Sequence, residues 1–134
     1  MDLRKILQDA RTIAVVGASE EIWRPSFGVA AYLKRAGYRV LPVNPTIAGV
    51  TLHGEQVRAA LTDLAEPVDI VNVFRRPAIV PEVEEAAIAI RAPVVWMQPG
   101  VRHDGAKGRA EAAGLSVVAD RCISVEHRRL LPRV

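Results

Sequence analysis

The amino-acid sequence predicts an α/β fold: a doubly wound, parallel, five-stranded sheet flanked by helices. Three observations lead there. Apolar, β-branched runs such as 12–16 and 68–74 lack polar–apolar alternation, as expected of strands covered on both faces. Amphipathic stretches of helical period stand between such runs. The two patterns alternate along the chain, which is the signature of βαβ units on a parallel sheet.

Taken in order, residues 2–10 predict a short amphipathic helix capped by Asp2, with Leu3, Ile6 and Leu7 on one side. The first strand is 12–16. The next helix covers 26–36, with Ser26 as N-cap, Pro25 just before it and Gly37 as its stop. Strand two is 39–43, closed by Asn44-Pro45. A loop through Gly49 and Gly54 leads to a short helix at 55–63. Strand three is 68–74, and a helix follows at 77–90. Its early acids Glu82, Glu84 and Glu85 complement the helix dipole and read as a solvated face. Strand four (94–98), a helix at about 104–113, strand five (115–119) and a helical turn at 124–131 complete the chain. No linker, repeat or low-complexity tract interrupts this Rossmann-like plan, so residues 1–134 form one expected domain.

Composition narrows the function classes. Half of the 134 residues are apolar, and no run approaches the roughly 18 needed to span a bilayer. A soluble, cytoplasmic protein with no membrane partner is expected. The net charge is only +3, yet all but Lys5, Lys34 and Lys107 of the 18 basic residues are arginines. Arginine's planar fork suits phosphates, although a GC-rich genome gives the same bias. The basic residues are scattered without aromatic interleaving, which argues against nucleic acid. Cys122, the single cysteine, excludes an internal disulfide and fits a small buried apolar role. His53, His103 and His127 lack metal-site spacing.

In a doubly wound sheet, ligands bind beyond the carboxyl ends of the strands. The residues there are Gly17-Ala18-Ser19, Val43-Asn44-Pro45, Phe74-Arg75-Arg76, Gln98-Pro99-Gly100 and Asp120-Arg121-Cys122. Gly17 permits a tight turn and close approach to the backbone, and the next helix points its free N–H groups at that space. Ser19, Arg24 and Ser26 add donors suited to phosphate, with Pro25 leading into the helix. The fingerprint G-x-G-x-x-G is incomplete, and Asn44 stands where a dinucleotide site places an acid for the ribose. Asn44 can bond a ribose or adenine, or simply form an Asn-Pro turn. Arg75 and Arg76 can face a phosphate or pair with Glu82. Trp96 and Gln98 lie on one face of strand four, with Gln98 nearer the strand end. No nucleophile, base and oxyanion donor assemble from these residues, so a binding module rather than an enzyme is expected.

The stretches IAVVGAS (13–19), RPSFGVAAYLKRAGYRVLPVNP (24–45), PVDIVNVFRRP (67–77), VVWMQPGV (94–101) and GLSVVADRC (114–122) together resemble the CoA-binding domain family. More distantly, they resemble the N-terminal domain of the succinyl-CoA synthetase α subunit and of ADP-forming acyl-CoA synthetases. The resemblance implies coenzyme A or an acyl-CoA as the ligand. It places Gly17, Ala18, Ser19, Arg24, Pro25 and Ser26 at phosphate and Val43, Asn44 and Pro45 near the adenosine. Phe74, Arg75 and Arg76 would flank the ligand. Thr46 stands where many relatives carry Lys, and nothing corresponds to the second synthetase domain, so ligase activity is not implied. The alternatives are an enzyme dependent on NAD(P) or another nucleotide, or an interaction protein with a vestigial pocket. The apolar helix faces are also compatible with a homodimer.

Overall fold

The computed structural model describes residues 1–131. Its elements are α1 (Leu3–Asp9), β1 (Thr12–Val16), α2 (Pro25–Arg35), β2 (Arg39–Val43), β3 (Thr51–Leu52), β4 (Glu55–Gln56), β5 (Ile70–Val73), α3 (Val80–Ala89), β6 (Val94–Met97), α4 (Asp104–Ala112), β7 (Ser116–Ala119) and α5 (Ile123–Leu130). Five strands form one parallel sheet in the order β2-β1-β5-β6-β7. This is the α/β Rossmann-like fold. Short 3-10 turns occur at Pro45–Ile47, Leu61–Asp63 and Pro77–Ile79.

Both sheet faces are buried, which explains the continuous apolar runs. Ile13, Val15, Val40, Ile70, Trp96 and Val118 pack towards α1, α2 and α5. Ala14, Val16, Leu41, Val71, Val95 and Met97 pack towards α3 and α4. The chain leaves β1 for β2 on one side and crosses back to β5 on the other, so the switch in strand order lies between β1 and β5. Trp96 is fully buried on the first face, and its indole N–H donates to the Arg121 carbonyl at 2.7 Å.

Three expectations are corrected. Residues 55–63 are not a helix. Glu55–Gln56 instead pairs antiparallel with Thr51–Leu52, and His53 and Gly54 turn the hairpin with positive φ. The chain then runs along the open edge of β2: the Arg58 amide donates to the Pro42 carbonyl, and the Arg58 carbonyl accepts from the Asn44 amide. Covering that edge outweighs the helix propensity of the segment. Ser26 is not the N-cap of α2. Arg24 occupies that position and Pro25 takes the first helical place, where its missing N–H costs nothing. Finally, Glu84 is buried rather than solvated. Its carboxylate accepts from the Arg109 guanidinium of α4 at 2.8 Å, while Glu82 and Glu85 stay exposed.

Candidate functional site

The strand ends are level. Val16 pairs in register with Val43 and with Val73, Val73 with Met97, and Met97 with Ala119. The next residues, Asn44, Gly17, Phe74, Gln98 and Asp120, therefore emerge along one edge. Parallel pairing alone brings together segments scattered through the sequence.

Gly17 opens the loop with φ +92°, a conformation that glycine adopts freely. Its missing side chain is needed by the protein itself. A Cβ there would meet the Phe74 carbonyl oxygen at 2.7 Å, so the turn closes tightly on the end of β5. The Gly17 and Ala18 amides donate to the Val43 carbonyl. Among the described residues, no protein group accepts from the amides of Ser19 and Glu20, and both residues border the cleft. The Ser19 hydroxyl accepts from the Glu21 amide at 3.0 Å and shapes the loop.

The Asn44 side chain helps to hold the site together. Its Nδ2 donates to the Ala18 carbonyl at 2.8 Å, while its Oδ1 accepts from the amide and the hydroxyl of Thr46. Thr46 thus braces Asn44 with its hydroxyl and brings no charge to the cleft. Gln98 is also internally committed. Its Oε1 accepts from Asn72 Nδ2 and from the Ile123 amide, both at 2.9 Å, which ties β5, β6 and the start of α5 together.

Arg75 and Arg76 contrast with the ion-paired arginines of the chain. Arg39, Arg102, Arg109, Arg121 and Arg129 each contact a carboxylate within 3.2 Å. Arg75 and Arg76 have no carboxylate partner among the described residues, Glu82 included. Two guanidiniums without such a partner at one strand end are chemically suited to an anion.

The candidate residues line three neighbouring cavities. The first, about 440 Å³, takes Gly17, Ala18, Ser19, Arg24, Asn44, Phe74, Arg75 and Arg76. The second, about 370 Å³, takes Pro25, Ser26 and Gln98 and shares Gly17, Arg24 and Phe74 with the first. Val43 and Pro45 instead line a smaller cavity of about 160 Å³, which shares Arg75. Arg24 thus stands between a polar half of the cleft and a more apolar one walled by Val29 and Val101. Sequence reasoning missed Glu20 and Glu21, which line the first cavity; it set Cys122 of the second at the strand-end edge but gave it a buried apolar role. The two acids lie inside the loop already singled out, so their position was the available signal.

Cys122 is half-buried at the N-cap of α5, not an inert core residue. Burial pushes its thiol up. Hydrogen bonds with the Ser124 hydroxyl, the backbone at Val125 and Ser124, and Gln98 outweigh that and hold it below the usual thiol value. Among the described residues, no group of three or more His, Cys, Asp or Glu side chains is placed to hold a metal ion, and no helix is long and apolar enough to cross a membrane.

Known proteins resemble this chain in sequence or in structure. The uncharacterized protein YneT of Bacillus subtilis is 39% identical over 126 residues, spanning 94% of this chain and 92% of that protein. A solved structure from Thermus thermophilus matches with a TM-score of 0.95 at 47% identity, covering 98% of this chain and 100% of that one. The acetate–CoA ligase (ADP-forming) II of Archaeoglobus fulgidus is 30% identical over 111 residues; the match takes in 80% of this chain but only 16% of the ligase. The family model described as "CoA binding domain" matches residues 11–128, and the chain belongs to that family.

Proposed function

We propose that the protein binds coenzyme A or an acyl-CoA in the cleft beyond β1 and β5, as a binding or regulatory module rather than a catalyst. One observation carries this reading: Arg75 and Arg76 reach the cleft at the switch point without a carboxylate partner among the described residues. An anion neutralises them, and the open amides of Ser19 and Glu20 complete its cradle. The polar cavity suits the phosphates. The apolar one, past Arg24, suits the pantetheine arm and a small acyl group. Family membership and the similarity to part of an acetate–CoA ligase support the same ligand class. NAD is the weaker candidate, because Asn44 offers no carboxylate to the ribose and spends its side chain on Ala18 and Thr46.

Native mass spectrometry of the purified protein, followed by calorimetric titration with CoA, acyl-CoAs and NAD, tests the reading. CoA binding without NAD binding is expected, and the reverse overturns it. Arg24→Glu and Arg75→Glu should each weaken CoA about 10- to 100-fold, the range for charge-assisted contacts. Unchanged affinity in both variants removes the phosphate roles.

A further inference from the structure

Resting on that reading, we propose that Glu21 is an internal stand-in for the ligand's phosphate: it holds the Arg24 guanidinium until an anion displaces it, and so tunes the affinity of the cleft. Arg24 borders both halves of the cleft, and Glu21 lines the polar half. Arg24 Nε lies 3.6 Å from Glu21 Oε1. The same guanidinium lies over the Trp23 ring, 4.7 Å from its centroid. The turn that pairs them is fixed by backbone contacts, since the Arg24 amide donates to the Glu21 carbonyl and the Glu21 amide donates to Ser19 Oγ, both at 3.0 Å.

The pair has little structural work to do. Glu84–Arg109 joins two helices, and Arg39–Glu66 ties segments 27 residues apart. Glu21–Arg24 spans one turn, is half-exposed on both sides and is long, so it breaks at small cost. Glu21 nevertheless lines a cavity that Arg75 and Arg76 line as well. With no anion bound, Glu21 offsets the repulsion among the three guanidiniums and keeps Arg24 stacked on Trp23. A phosphate entering the cavity takes over the guanidinium, and the carboxylate turns out to solvent. Trp23 is 70% exposed and lies against Arg24, so its emission reports the exchange.

Calorimetric titrations of the wild type, Glu21→Gln, Arg24→Gln and the double variant with CoA, and separately with inorganic pyrophosphate, test the exchange. Glu21→Gln should bind both anions about two- to fivefold more tightly, as expected for release of an exposed ion pair. The gain should shrink at high salt and disappear in the Arg24→Gln background. Anion binding should change Trp23 emission only when Arg24 is present, with Trp23→Phe as the blank. Equal or weaker binding by Glu21→Gln overturns the proposal, and so does an equal gain without Arg24. If the wild type binds pyrophosphate but not CoA, the reading of function falls and the pyrophosphate series alone decides the role of Glu21. If no variant binds either anion, both fall.

Discussion

A Cβ on residue 17 would stand 2.7 Å from the carbonyl oxygen of Phe74, closer than packed atoms tolerate. The obstacle is backbone, so it cannot swing aside, and φ of +92° adds strain for any other residue. Gly17→Ala should therefore lower stability by about 2–3 kcal/mol, within the range for a strained backbone plus a clash. Urea unfolding measures this, and a wild-type midpoint would show that β1 and β5 can separate freely. Because the shift moves Phe74 and Arg75, CoA affinity should fall as well.

Gln98 and Asn72 form a buried pair with unequal stakes. Gln98→Met leaves the Asn72 amide group and the Ile123 N–H without their acceptor and should cost about 2–4 kcal/mol. Asn72→Val removes one donor and an Oδ1 that has no partner, while Gln98 keeps Ile123. It should cost less than about 1 kcal/mol. Equal losses in the two variants would contradict the network.

The single cysteine makes thiol chemistry easy to read. With its thiol held below the usual value, Cys122 should alkylate with a lower pH midpoint in the folded protein than in the urea-unfolded chain. Ser124→Ala should raise that midpoint by removing the hydroxyl 3.3 Å from Sγ. Saturating CoA should slow the reaction, because Cys122 lines the second cavity. Mass spectrometry of iodoacetamide-treated protein follows all three effects.

Stability should decline in mild acid for a reason located at two histidines. Burial, then the Lys34 and Arg128 charges, hold His53 and His127 below the usual imidazole value. The folded state thus takes up these protons less readily than the unfolded chain. Their contribution is complete above the unfolded value of about 6.5 and is lost as pH falls through the lower folded values. The urea midpoint should drop between pH 7.5 and pH 5.5, two settings chosen about one unit either side of that value. His127→Gln should reduce the drop. Glu66 and Glu126, held low by Arg39 and Arg129, act in a separate window below about pH 4.5. A flat profile from pH 7.5 to 5.5 would exclude the histidines.

The elements and the edge that bears the site are legible in the sequence because their causes are local. A strand covered on both faces must be apolar at every position, and 12–16 and 70–73 are. Once parallel strands alternate with helices, the residues following each strand must share an edge, which is how Gly17, Asn44, Phe74 and Gln98 were found. The two-residue strands at 51–52 and 55–56 were not legible, since so short a pairing leaves no periodicity. Glu84 looked solvated because its partner Arg109 lies 25 residues away.

By itself, then, the sequence determined a parallel α/β domain, its candidate edge and the loops along that edge, because burial and turn chemistry act over a few residues. Tertiary structure alone decided the strand order, and with it the switch point between β1 and β5. It also decided which polar groups the protein uses up: Asn44 on Ala18 and Thr46, Gln98 on Asn72 and Ile123. Among the charges singled out at the candidate site, Arg75 and Arg76 have no carboxylate partner among the described residues, and Arg24 Nε lies 3.6 Å from Glu21 Oε1. Hydrogen bonds and ion pairs form between groups brought close by folding, and closeness in space is not written in any one segment.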